Sequence, residues 1–76
     1  MGNMNEDERI KAIQYEIERQ IKKIKEKKLT FVIYLPNGYI IADNYKFNEH
    51  FKEYIDLFRN NIYIATVKIW SIEMVS

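Results

Sequence analysis

The C-terminal run constrains this chain most. From Ile62 to Val75 it reads Ile-Tyr-Ile-Ala-Thr-Val-Lys-Ile-Trp-Ser-Ile-Glu-Met-Val. β-Branched and aromatic residues dominate, and Gly and Pro are absent, which is a strand signature. Read as one strand, it is apolar on both faces. Tyr63, Ala65, Val67 and Ile69 share one side, and Ile64, Trp70, Ile72 and Met74 share the other. A chain of 76 residues has little material to cover both sides of a sheet. At about 3.3 Å per residue, the run would reach roughly 46 Å, against about 23 Å for a hairpin strand of seven residues. The stretch from Ile62 to Ile69 is therefore expected to pair within the domain. The stretch from Trp70 to Val75 is expected to overhang, meeting helix one, a second copy or a target.

Upstream, Asn5 to Lys28 reads as a helix. It is free of Gly and Pro, with Asn5 as N-cap, acidic residues in the first turn and lysines in the last. Ile10, Ile13, Ile17, Ile21 and Ile24 form its narrow apolar stripe. Leu29 to Leu35 then predicts a strand, Pro36-Asn37-Gly38 a turn and Tyr39 to Asp43 the return strand. With Asn37 and Gly38 as the loop, Leu35 would face Ile40 and Tyr34 would face Ile41. Phe31, Ile33, Leu35, Ile40 and Ala42 would share one face, and Val32, Tyr34, Tyr39 and Ile41 the other. Phe47, Phe51, Tyr54, Ile55 and Phe58 recur at a helical period, predicting a second helix over Asn48 to Asn60.

These readings give an α+β fold with the order α-β-β-α-β. The expected architecture is two-layered, a three-stranded mixed sheet made of the hairpin plus the C-terminal strand, packed on one or two helices. Residues 1–76 are expected to form one small domain, with residues 1–5 disordered.

Composition excludes several classes of function. The chain has no Cys and a single His, His50, so a thiolate or His-rich metal site is not expected. A net charge of +1 fits neither a histone-like polycation nor an acidic mimic of DNA. No apolar run is long enough to span a bilayer, and no secretory leader is expected at the N-terminus. A cytoplasmic protein is the expectation, with no membrane partner and no cofactor.

Catalytic motifs are also missing. Gly38 and Gly2 are the only glycines, so no phosphate-cradling loop is available, and Ser71 lies outside any nucleophile elbow. Glu49, His50 and Glu53 could share a helical face, but they read more simply as a polar flank. No enzyme is expected.

Two surface constellations remain. Val32, Tyr34, Ile64, Trp70, Ile72 and Met74 fall on the uncovered sheet face or the overhang, where Tyr and Trp are effective interface anchors. They point to a non-enzymatic, intracellular protein-interaction module, meeting a larger protein or forming a homodimer. The Ile-, Lys- and Asn-rich bias resembles that of AT-rich bacterial and phage genes. An accessory protein that inhibits or redirects a host enzyme or defence complex by steric occlusion fits that bias. The second constellation is Arg19, Lys22, Lys23, Lys25, Lys27 and Lys28, around the end of helix one. It supports the alternative of a nucleic-acid-binding accessory protein, with Tyr34 or Tyr39 stacking on bases. A third reading is a self-associating structural protein, since Ile10, Ile13, Ile17 and Ile24 approximate a heptad seam.

Overall fold

A computed structural model describes residues 5–76. The expected disorder of residues 1–5 lies outside these residues except at Asn5, which is ordered as the helix cap. Asn5 Oδ1 accepts from the Glu8 N–H at 2.8 Å, and the Asn5 N–H donates to Glu8 Oε1 at 3.3 Å. This reciprocal box satisfies two of the helix's orphan N–H groups. Helix α1 spans Glu6–Lys25 and stops before Lys28, as both Lys27 and Lys28 donate back to the Ile24 carbonyl. Its isoleucine stripe is core. Ile10, Ile17 and Ile21 are buried, with Ile13 and Ile24 packed at the margin.

Six short strands follow: β1 (Phe31–Leu35), β2 (Gly38–Ala42), β3 (Asn44–Phe47), β4 (Tyr54–Arg59), β5 (Ile62–Lys68) and β6 (Met74–Val75). They form two three-stranded sheets, ordered β2-β1-β6 and β3-β4-β5. Every pairing is antiparallel, so the α+β class holds while the mixed sheet does not.

A bend at Asp43 carries the chain from β2 in the first sheet into β3 in the second. The Asp43 N–H donates to the Phe58 carbonyl at 2.9 Å, and its carboxylate accepts from the Asn60 N–H at 2.9 Å. Its carbonyl accepts from Lys25 Nζ. One residue thus ties the strand corner to the β4–β5 turn and to the end of α1.

The second helix does not form. Asn48 supplies the expected cap, its Oδ1 accepting from the N–H groups of His50 and Phe51 at 2.9 Å, but the chain makes only a turn. The Tyr54 N–H donates to the Phe51 carbonyl and β4 begins. Tyr-Ile-Asp-Leu-Phe-Arg alternates, and Ile55 and Leu57 are fully buried. The aromatic spacing fits both periods, and Leu57, which is off the helical stripe, separates them. Asn60 and Asn61 then take φ of 55° and 64°. Two successive left-handed residues make a two-residue hairpin turn whose twist suits antiparallel strands, so these asparagines join strands and do not stop a helix.

The first hairpin turns one position earlier than expected. Pro36 and Asn37 occupy the turn, Leu35 faces Gly38 and Tyr34 faces Tyr39. Gly38 has φ of 153°, a value that side chains other than glycine's rarely adopt. The slip moves each partner by two residues, so both faces keep their expected members.

The C-terminal run is not one strand. β5 pairs with β4, a 3-10 turn over Ile69–Ser71 reverses the direction, and β6 returns to pair with β1. The expected overhang is therefore bent back onto the domain's own first strand. One core joins both sheets and α1: Phe31, Ile33, Ala42, Ile55, Leu57 and Ile69 with the helix isoleucines. Nonpolar burial at about 25 cal/mol per Å² is the main force holding such a core.

Candidate interaction surfaces

The outer face of the first sheet carries the predicted anchors Val32, Tyr34 and Met74. Cross-strand register sets Tyr39, Tyr34 and Met74 in one row, and Ile41 beside Val32 in the next. The Tyr34 and Tyr39 rings lie 6.1 Å apart at a 45° tilt. Tyr39 is 64% exposed and Met74 53%. With Tyr34 half-buried between them, the row forms an apolar, aromatic patch at the surface.

Trp70 and Ile72 lie elsewhere. Trp70 stands on the 3-10 turn, partly exposed, with the Arg9 guanidinium 5.7 Å from its ring centroid. Ile72 packs against the core margin. It lines an open groove between α1 and the C-terminal segment, with Ile13, Ile17, Met74 and Val75 forming apolar walls and Glu16 and Glu73 also lining it. Ile64 belongs to the other sheet. It is the extra residue of a β-bulge, because Leu57 faces Ala65 while Phe58 faces Tyr63. The bulge turns Tyr63 to the outer face, where its ring meets Phe58 edge-on at 6.0 Å. The six predicted interface residues thus form three groups.

Sequence reasoning missed the strand edges. β5 and β6 each end a sheet. The Ile69 N–H donates to the Glu53 carbonyl at 2.8 Å, so alternation along β5 turns the backbone groups of Thr66 and Lys68 away from β4. Val32 and Ser76 exchange both backbone bonds, at 2.7 and 3.0 Å, so Val75 likewise turns its N–H and C=O outward. Ile62 and Tyr63 on β5 are 65% and 57% exposed. The signal that could have revealed these edges was Asn60-Asn61, which marks a hairpin and so requires β5 to pair with its predecessor.

The basic constellation is split. Arg19 pairs with Glu16, and Lys22 pairs with Glu18 at 3.0 Å. Hydrogen bonding from Arg19 and then Gln20 holds the Glu16 carboxyl below its ordinary pKa, and Lys22 does the same for Glu18. Lys25 and Lys28 line a polar groove with Arg59, Asn60 and Asn61, a grouping that includes an unforeseen arginine, and Leu29 beside them is 89% exposed. Lys23 and Lys27 are exposed on the helix end. Tyr34 and Tyr39 sit by the Pro36-Asn37 turn, while Lys25 reaches Asp43 at the far end of β2. The structure therefore does not join the stacking rings to the lysines.

Beside the Phe58–Tyr63 ring pair, the polar groups on the outer face of the second sheet satisfy one another. Thr66 Oγ1 donates to Asp56 Oδ1 at 2.7 Å and bonds the Tyr63 hydroxyl at 2.6 Å, and Lys46 pairs with Glu49 at 2.9 Å. Among the described residues no cluster of His, Cys, Asp and Glu has metal-site geometry, and no helix is long and apolar enough to cross a membrane.

No protein-family model, curated protein or solved structure matches this chain.

Proposed function

We propose that this chain is a non-enzymatic protein-interaction module that associates edge to edge with further copies of itself, β5 of one meeting β6 of the next. One observation carries this reading: β5 and β6 each leave one edge without a strand partner, and the exposed apolar side chains of Ile62, Tyr63 and Met74 stand on them. Unpaired strand edges are templates for pairing. The two edges differ, so the contact is heterologous and builds a closed ring or an open filament. The inhibitory accessory role takes the same physical form, with one edge adding to the sheet of a larger protein and occluding it. Sedimentation velocity over a range of concentrations tests the reading. Assembly should grow with concentration, and Ile62→Lys should dissolve it. A wild-type chain that stays monomeric at every concentration would refute it.

A second reading has its own support. The Tyr34–Tyr39 pair, with Tyr39 exposed, offers stacking surface for bases, and Arg59 adds a cation to Lys25 and Lys28. A nucleic-acid-binding accessory protein would use both, although they lie apart. Its affinity for single strands should fall steeply with salt and drop on Tyr39→Ala. Salt-independent binding, or none, would remove this reading.

A further inference from the structure

The chain has seven asparagines, and Asn37 is the one that a glycine follows. An asparagine side chain can close a ring with the next backbone nitrogen, and glycine obstructs that closure least because it has no Cβ. Asn37 and Gly38 are both exposed at the tip of the first hairpin. Beyond its two chain neighbours, nothing lies within 4 Å of where a Cβ on Gly38 would stand. The Oδ1 atoms of Asn5, Asn44 and Asn48 each accept backbone N–H groups, whereas the Asn37 side chain makes no hydrogen bond among the described residues. Asn60 and Asn61 also lack such side-chain bonds, but the nitrogens after them belong to Asn61 and to the β-branched Ile62.

We infer that Asn37 is a site of spontaneous deamidation, and that the closed hairpin turn holds the reaction back. The Gly38 amide nitrogen gives its proton to a solvent base and attacks Asn37 Cγ. The bond from Cγ to the side-chain nitrogen breaks, and ammonia leaves with a proton taken from solvent. Water then opens the resulting five-membered succinimide. Attack at Cγ gives aspartate, and attack at the main-chain carbonyl gives isoaspartate, with one water consumed and one ammonia released. The fold restrains the first step. Val32 and Tyr34 direct their backbone groups to the C-terminal segment, so alternation along β1 turns those of Leu35 toward its partner Gly38. The attacking nitrogen is therefore engaged in the pair that closes the turn, and the turn must open to release it. Either product places a carboxylate two residues from Tyr39 and lowers the formal net charge from +1 to zero, where charge repulsion between copies is least. Isoaspartate also adds one backbone carbon to a turn of two residues.

Incubation of the full chain in warm, mildly alkaline buffer made with heavy-oxygen water tests this directly. Peptide mapping by mass spectrometry should find one heavy oxygen gained at residue 37 before any other asparagine changes, as a mixture of aspartate and isoaspartate. Asn37→Gln should remove the early product, because the longer side chain closes a less favourable ring, and circular dichroism checks that the variant is folded. In denaturant the wild-type rate at residue 37 should rise at least about fivefold, since the folded turn releases its nitrogen only in the open fraction. Deamidation that begins at another asparagine, or a residue 37 that stays intact both folded and unfolded, overturns the site. Equal rates with and without denaturant overturn the restraint by the turn.

Discussion

The Arg9 guanidinium lies over the indole of Trp70, 5.7 Å from its centroid, and so links the first half of α1 to the turn between β5 and β6. A cation over an indole face at a partly exposed site contributes about 0.5–1 kcal/mol. Arg9→Ala should lower stability by that amount in urea unfolding, and it should shift the fluorescence of the only tryptophan. Unchanged emission would show that the guanidinium does not occupy that position in solution.

Leu57 decides between strand and helix for its segment, and it is fully buried. Leu57→Ala should cost about 2–5 kcal/mol. A domain of this size has only about 4–11 kcal/mol in all, so the variant should lose much of its margin. Phe51→Ala, at a 61% exposed position on the expected but absent helix, should cost far less. Equal losses would contradict the strand assignment of β4.

Asn61 holds φ at 64° in the β4–β5 turn. Asn61→Ala forces a side chain without local polar compensation into the left-handed region, at about 1 kcal/mol or more. Asn61→Gly should be neutral or slightly stabilising. The same pair of substitutions at a helix stop would leave the hairpin register untouched, so amide exchange in β5 distinguishes the two roles.

Acid should weaken the fold. Glu16, Glu18 and Glu49 are held below their ordinary value of 4.5 by hydrogen bonds from Arg19, Lys22 and Lys46. A depressed carboxylate contributes stability above the unfolded value and loses it as pH falls through the folded one. The unfolding midpoint should drop below about pH 4.5. These groups are exposed, so the effect should be small and further reduced by salt. A flat profile from pH 5 to 3 would count against these pairs.

Alkali acts through another group. Burial, and then the nearby Glu18 charge, push the Tyr45 phenol from 10 up to about 12. A raised phenol contributes stability below its unfolded value and loses it as pH rises through the folded one. Stability should therefore decline between pH 10 and 12, and Tyr45→Phe should flatten that decline. An unchanged slope in the variant would assign the loss to other residues.

Much of the local structure was legible. The Asn5 cap, the isoleucine stripe and both faces of the first hairpin follow from periodicity and capping chemistry alone. The hairpin register was not, because a Pro-Asn turn closing on Gly38 and an Asn-Gly turn differ by two residues without changing either face. The segment from Asn48 to Asn60 was misread for a clear reason: Phe51, Tyr54, Ile55 and Phe58 satisfy a helical period, while their β-propensity and the intervening Leu57 favour a strand. The interface residues were chosen as one face of one straight strand. The Ile64 bulge and the 3-10 turn at Ile69 break that face, and neither has a local sequence signature strong enough to announce it.

Asp43 gives the fold a mechanical consequence. Its N–H, carbonyl and carboxylate each hold a different element, so opening the β4–β5 turn also loosens the strand corner and the end of α1. Native-state hydrogen exchange should then find the amides of Asp43 and Asn60 in one opening unit. Removing the carboxylate by Asp43→Ala should uncouple them, letting the turn fray while the corner stays closed. A small chain with three such attachments at one residue would behave as a single cooperative body, so that a pull on the β4–β5 turn would be felt at the end of the helix as well.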